Sequence, residues 1–318
     1  MTQAATSAAV FKSKAREALS DPALQQAMDR AKGGFVGARR IVVEDLAEFD
    51  SLRDTARDIK DHVLNHLDLY LERYERKTTE NGGHVHWVSE EMGLNTVLEE
   101  AGIEVAETDL GEYIIQLAGE SPSHIIAPAI HKTREQITEL FYENHKSHGF
   151  SERVTRREAI VNEARGVLRS VFARADVGIT GANFLIAESG ANVIVTNEGN
   201  GDLSSTLPPV QIITAGIEKV IPSLDDLSTF LRILGRSATG QEMSAYTTLY
   251  TGPRREGEVE GPTEYHVVLL DNGRSTMLAG RYQSMLRCIR CGACLNHCPV
   301  YSAVGGHAYG WVYPGPMG

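Results

Sequence analysis

All four cysteines of this 318-residue chain fall within eleven residues, in the stretch LRCIRCGACLNHCPVY (286–301). Cys288, Cys291 and Cys294 are separated by two residues each; Cys298 follows after three more, and Pro299 comes next. Thiolates are soft ligands, and this run is the spacing of a [4Fe–4S] ligand loop. A cubane presents its irons at the corners of a tetrahedron, and two-residue gaps let one tight loop reach three of them. Gly292, between the second and third cysteines, relaxes the backbone demands of that loop. Pro299 turns the chain away after the fourth thiol. Two blander readings compete, a four-cysteine zinc site and uncoordinated thiols. Zinc sites of that composition usually come as two separated CxxC pairs, which this run is not.

The run is of the bacterial ferredoxin type, in which the fourth cysteine of each run ligates the other of two clusters. Here there is one run and no fifth cysteine. Either Cys298 closes a single cluster with Cys288, Cys291 and Cys294, or the site has three protein ligands. The surroundings are basic. From Asn272 to Gly318 there is no Asp or Glu, while Arg274, Arg281, Arg287 and Arg290 add four positive charges to a chain whose net charge is −11. Positive charge near an anionic cluster favours its reduced state. Arg287 and Arg290 can do this from within the loop, or can simply face water. His297 is placed to donate a hydrogen bond to a cluster sulfur; it is an unusual residue type for ligation there.

The elements that must position this loop read as helices first. From Leu46 to Tyr74, apolar or small residues recur at steps of three and four (Phe49, Leu52, Ala56, Ile59, Val63, Leu67, Tyr70, Tyr74), one face of a long helix. A shorter helix over Phe11–Lys32 precedes it. From His84 the pattern predicts strands at His84–Trp87, Ile103–Glu107, His124–Pro128, Val177–Ile186, Asn192–Thr196, Val210–Ala215, Tyr246–Thr251 and Tyr265–Leu270. Helices are predicted near Ser89–Ala101, Thr133–Asn144, Arg156–Ala175 and Leu224–Gly235. The last has Ser223 as its cap and Asp226 at the capping-box position. Interleaved strands and helices imply an α/β fold with a largely parallel sheet. The expected division is a helical N-terminal arm (1–82), an α/β domain (83–275) and a ferredoxin-type segment (276–318).

Other candidate sites are weaker. The loop TNEGNGDLSSTLPP (196–209) can offer backbone N–H groups to an anion, although Glu198 and Asp202 would repel one. Arg236, Arg254 and Arg255 can bind a carboxylate or phosphate. His131 stands at a helix start, where it can face a pocket. No catalytic constellation, flavin fingerprint or nicotinamide fingerprint is present. The acidic balance argues against nucleic-acid binding. No apolar run approaches the roughly 20 residues of a membrane span, and the start MTQAATSAAVFKSKAREAL lacks the pattern of a signal peptide. The expected location is the cytoplasm.

Several stretches closely resemble the iron–sulfur B subunit of the bacterial lactate-utilization system. They are LRCIRCGACLNHCPVY with the GGHAYGWVYPGPMG that follows, ETDLGEYIIQLAGESPSHIIAPAIHKTREQ (107–136), GITGANFLIAESGANVIVTNEGNGDLSSTLPP (178–209), ILGRSATGQ (233–241) and TGPRREGEVEGPTEYHVVLLDNGRS (251–275). The resemblance implies a sugar-isomerase/CoA-transferase-like α/β domain and two [4Fe–4S] clusters per family chain. It implies work with an A and a C subunit in oxidising L-lactate to pyruvate. Two departures stand out. The family continues past the YPGP segment into a second cysteine run, and it places an additional helix and strand between the positions of Trp87 and Val88. The join of HVHW to VSEEMGLN is therefore expected to mark a missing segment, visible as a break between those residues. The expected function is an iron–sulfur electron-transfer subunit. The alternative is an α/β enzyme of the ligase or transferase kind, binding a small anion, with a structural or redox-sensing cluster.

Overall fold

The structure, a computed structural model, describes residues 8–90 and 93–310. The first residues of the chain, Glu91 and Met92 in the expected 89–101 helix, and residues 311–318 of the GGHAYGWVYPGPMG stretch lie outside the described residues.

The helical start is more broken than its apolar period implies. The expected Phe11–Lys32 helix is two, α1 (Ala8–Ser20) and α2 (Pro22–Glu44). The Asp21 carboxylate caps α2 by accepting from the N–H groups of Ala23 (2.9 Å) and Leu24 (3.2 Å), and Pro22 occupies its first turn. The expected long helix breaks at His66, giving α3 (Phe49–Asn65) and α4 (Leu67–Glu80). Its buried face survives the break, since Phe49, Ala56, Val63, Leu67 and Tyr74 are all buried.

After these come β1 (His84–Val88), α5 (Leu94–Glu100), α6 (Leu110–Ala118), α7 (Arg134–Asn144) and α8 (Arg157–Arg174). The second half runs β2 (Val177–Gly181), β3 (Phe184–Ile186), β4 (Ala191–Thr196), α9 (Asn200–Thr206), β5 (Val210–Gly216), β6 (Val220–Ile221), α10 (Leu224–Ala238), β7 (Tyr246–Tyr250) and β8 (Glu264–Leu270). The tail holds α11 (Arg274–Leu278), α12 (Ala293–Asn296) and α13 (Pro299–Tyr309).

The strands form two sheets. One is wholly parallel, in the order β1-β8-β5-β2; the other, β6-β3-β4-β7, is mixed. The fold is α/β, as expected, but only half of its strands lie in a parallel sheet. The expected Val177–Ile186 strand is two strands because the chain changes sheets between Gly181 and Phe184. Two expected strands are absent. In 103–107 the Gln116 side chain satisfies the backbone, accepting from Glu107 N (2.9 Å) and donating to the Val105 carbonyl (2.8 Å). In 124–128 the His124 ring accepts from Ile126 N (3.1 Å), and Ser123 N donates to the Pro128 carbonyl (3.0 Å). Such local bonds offer the backbone an alternative to a ladder.

The strand β1 runs unbroken through Trp87–Val88, which pair in register with Leu269 and Leu270. The expected break is not there. The strand is nevertheless uncovered at its end: it lies at the sheet edge, and Trp87 and Val88 are exposed.

The main core lies where α3 and α4 meet the two sheets, around Val63, Leu71, Tyr74, Leu185, Ile213 and Tyr265. A second core joins α3 and α10 to the mixed sheet through Phe49, Phe184, Ile221, Leu227 and Phe230, and the cysteine loop rests on it through Ile289 and Cys291. Helices α6, α7 and α8 bury a core of their own. Helix α13 packs on α1 and α2, with Val304 and Ala308 against Ala18, and Tyr301 with Leu295 against Met28.

Candidate iron–sulfur site

Three thiols of the cysteine run share one cavity. Cys288, Cys291 and Cys294 line a space of about 360 Å³, together with Arg39 from α2, Arg53 from α3, and Arg287 and Arg290 of the loop itself. Cys298 stands apart from that wall, packed with Met28, Leu295 and Tyr301. It caps α13, its Sγ accepting from Tyr301 N at 3.5 Å, with Pro299 in the first turn. None of the four forms a disulfide.

Two left-handed residues shape the loop, Arg290 (φ 60°) and Gly292 (φ 73°). Glycine adopts this conformation without strain, and arginine does so only when its surroundings hold it. A Cβ at Gly292 would also lie 3.2 Å from Ile125 Cγ2 and 3.5 Å from the His124 ring. The loop is therefore seated on the segment 123–126. His124, fully buried, is the post of that seat. Its Nδ1 accepts from Ile126 N at 3.1 Å, which leaves Nε2 to donate to Asn296 Oδ1 at 2.9 Å. Its ring meets Tyr301 edge-on at 5.5 Å and stacks on Phe35 at 6.1 Å. Burial pushes the His124 imidazolium down to about 4, against the hydrogen bond to Asn296. His124 is thus a neutral ring at any ordinary pH.

The charges near the loop are paired more often than the sequence implies. Arg287 grips Asp61 of α3 with two hydrogen bonds of 2.5 and 2.8 Å. Glu218, fully buried, lies 2.5 Å from Arg274 and 3.6 Å from Arg290. The buried Lys60 donates to the Glu218 carbonyl. Burial pulls Lys60 and the partly buried Lys219 down to about 8 each, against the Glu218 carboxylate, and the Cys288 sulfur acts on both. His297 donates from Nδ1 to the Ala293 carbonyl at 2.8 Å, so that proton does not reach a cluster sulfur.

These residues fit an iron–sulfur cluster. Burial pushes the Cys291 and Cys294 thiols up, and the neighbouring sulfurs add to the effect. Such crowding is unfavourable for bare thiolates and is relieved by a cationic metal core between them.

The other sequence candidates are engaged elsewhere. Asp202 accepts from Thr248 Oγ1 and from Tyr250 OH (3.1 Å), and Glu198 accepts from Leu110 N (3.2 Å). The loop 196–209 thus turns into α9 with Glu198 and one oxygen of Asp202 already partnered. Arg236 donates to the carbonyls of Arg232 (2.9 Å) and Glu242 (2.8 Å), and Arg254 to that of Val259 (3.4 Å). The backbone N–H of Arg255 donates to Glu258 (2.6 Å). His131 does line a cavity, away from the cysteines. Reading the sequence missed His124, Arg39, Lys60 and Glu218, because nothing in their local spacing marks them; the tail that they serve is far along the chain.

Residues 71–270 match the LUD domain, and residues 284–318 match the 4Fe-4S dicluster domain. The chain is 42% identical to lactate utilization protein B of Bacillus velezensis, over 98% of this chain and 71% of that protein. This chain belongs to the lactate utilization protein B family. A similar match holds for the Bacillus subtilis protein of the same name (41%; 97% and 70%). The uncharacterized electron transport protein YkgF of Escherichia coli K12 is 42% identical, over 98% of this chain and 71% of its own length. Each of these alignments is longer than the present chain, so the relatives hold residues that it lacks within the matched span. A solved DUF162 family structure from Deinococcus radiodurans covers 64% of this chain and 98% of its own, at 16% identity and a TM-score of 0.33. As a member of this family the chain is an LUD-domain protein with an iron–sulfur segment at its C-terminal side. Among the described residues, no helix is long and apolar enough to cross a membrane.

Proposed function

We propose that this protein is the iron–sulfur electron-transfer subunit of an L-lactate-oxidising complex, acting with A and C subunits. Cys288, Cys291, Cys294 and Cys298 hold one [4Fe–4S] cluster. The observation that carries this reading is the cavity of about 360 Å³ walled by three of the thiols and four arginines, in a chain whose relatives are lactate utilization proteins B. The cluster, when bound, accepts and passes on one electron at a time. Oxidation of L-lactate to pyruvate releases two electrons and two protons, so the two-electron step belongs to another group of the complex. The residues of this chain then have a defined part. The cysteines fix the cluster, His124 and Gly292 set the loop against the LUD domain, and the cations near Cys288 offset negative charge as it is reduced. The division into an arm (1–82), an LUD-type α/β domain (83–275) and an iron–sulfur segment (276–318) goes with this proposal.

The test is anaerobic purification with iron and sulfide analysis, then dithionite reduction followed by EPR. About four irons per chain and a reduced-cluster signal are expected. Cys291→Ala is expected to lose both, because no other thiol in the loop replaces a middle ligand. Stoichiometric zinc with no visible absorbance would overturn the cluster. Cys298→Ala tests the fourth corner: a full cluster in that variant would remove Cys298 from the ligand set. L-lactate oxidation is measured with and without the partner subunits. Turnover by the isolated chain, free of added flavin, would instead favour the α/β domain as an enzyme in its own right.

A further inference from the structure

A second constellation lines a cavity that shares no residue with the cysteine cavity. Glu120, His131 and His307 come from three places: the end of α6, the approach to α7, and the last turn of α13. One ligand atom of each lies within 4.8 Å of the others. They stand on the wall of a polar cavity of about 560 Å³, which Lys14, Asp21 and Lys132 also line.

The hydrogen bonds around these residues fix what each can offer. His307 Nε2 lies 2.7 Å from the Ser121 carbonyl. A carbonyl only accepts, so Nε2 carries the proton and Nδ1 keeps its lone pair. This is the arrangement of a metal-binding histidine, whose other ring nitrogen is anchored on a carbonyl. His131 Nε2 lies 2.9 Å from Glu120 Oε2, a separation that two ligand atoms of one ion can take when the imidazole proton sits on Nδ1, and the His131 side chain is 9% exposed. Its Nδ1 is buried and has no hydrogen-bond partner. The two rings meet edge-on with centroids 4.5 Å apart. Burial holds the His131 imidazole below its ordinary value and therefore neutral, as a ligand must be. Burial opposes the charge on Glu120, but hydrogen bonds from Lys132 and His131 outweigh it and keep its carboxyl below the usual range. Two neutral imidazoles and one carboxylate are the donor set of sites that leave coordination positions open.

The backbone is shaped to deliver His307 to this place. Gly305 interrupts α13 at φ 69°, ψ 175°, a conformation essentially closed to other residues. The amide of Gly306 donates to Ser123 Oγ at 3.1 Å, and a Cβ on Gly306 would lie 2.0 Å from the Ser123 carbonyl oxygen. The two glycines before His307 thus turn the last part of the helix onto the segment that carries Ser121 and leads to His131.

We propose that Glu120, His131 and His307 ligate a divalent first-row transition metal, with its remaining coordination positions open to the 560 Å³ cavity. The site is independent of the cysteine cluster and of the function proposed above. The experiment uses the full chain with its iron–sulfur cluster in place, kept anaerobic, and Zn²⁺ as the probe. After removal of unbound metal, zinc and iron are counted per chain, and zinc affinity is read by competition with a chelating dye. One zinc per chain is expected. His307→Gln and Glu120→Gln are each expected to weaken zinc at least tenfold, with iron content and unfolding temperature unchanged. His307 is exposed, so its replacement leaves the fold intact and keeps the test sound if Glu120→Gln perturbs folding. Co²⁺ supplies a spectroscopic check: bound here, it shows no thiolate charge-transfer band. Failure to retain zinc, zinc that survives His307→Gln undiminished, or a thiolate band with Co²⁺ would each overturn the site.

Discussion

The burial of His124 makes a quantitative claim about acid stability. In the unfolded chain an imidazole takes up its proton near pH 6.5. In the folded chain burial delays this to about pH 4. Between those values the unfolded state binds more protons than the folded one, so stability falls as pH falls through that window and is unaffected well above it. At pH 5 the loss from this one residue is about 2 kcal/mol, a factor of about 30 in the folded-to-unfolded ratio, rising to about 3 kcal/mol near pH 4. The geometry agrees with the sign. Nδ1 faces the Ile126 N–H at 3.1 Å, and a proton added there would set two donors against each other. The assay is urea unfolding of wild type and His124→Gln at pH 7 and pH 5, with iron content checked at both. Carboxylates that titrate in the same range act on both proteins and cancel in the comparison. The wild type is expected to lose about 2 kcal/mol more than the variant between the two pH values. Equal losses would refute the reasoning, and would mean that the ring takes up its proton at an ordinary pH in the folded chain.

Two substitutions test the supports of the loop. Gly306→Ala drives a methyl group into the Ser123 carbonyl, 2.0 Å from the ideal Cβ, and is expected to cost about 2–3 kcal/mol in urea unfolding and to lower iron occupancy; an unchanged midpoint would show that α13 can move aside. Arg274→Ala leaves the buried Glu218 with Arg290 at 3.6 Å as its remaining ion-pair partner, and is expected to cost about 3–5 kcal/mol. The double change Arg274→Met with Glu218→Gln should recover most of that loss, and a double variant no more stable than Arg274→Ala would count against the charge argument.

What the sequence revealed depended on how local the physics was. The four cysteines are legible because the ligands of one loop are neighbours in the chain. Helix α10 is legible because Ser223, Asp226 and its apolar face are all local signals; Asp226 N donates to Ser223 Oγ at 3.2 Å. The break at His66 is invisible to a pattern of threes and fours, since α4 resumes the same face. The division into two sheets is invisible too. The alternation of a strand records that it is half-buried, not which strand lies beside it, so β2 and β3 read as one element. The strands expected at 103–107 and 124–128 failed because side chains, Gln116 and His124, took the backbone partners that a ladder would have used. His131 was visible as a residue able to face a pocket. Its partner His307 was not, because 176 positions separate them and the link runs through two glycines whose meaning is geometric.

The charge of the tail shows most clearly why composition and structure give different electrostatics. By sequence, residues 272–318 carry four arginines and no acid. In the fold, acids from the rest of the chain come to meet three of them: Asp61 takes Arg287, while Glu218 lies against Arg274 and Arg290. The tail is therefore held to the acidic body by its own charge excess, and the arginines beside the cysteines act first as anchors. Lys60 and Lys219, which burial has brought down to about 8, also bear on Cys288, beside the Arg39 and Arg53 that line the same cavity. Below that pH the two lysines are charged in a poorly hydrated setting, where a charge acts over a longer range than at the surface. A negative charge added to a cluster held by these cysteines would be compensated in part there. The charges that face the cysteine loop thus come from α3 and from the β5–β6 connection within the LUD match, as well as from the loop itself.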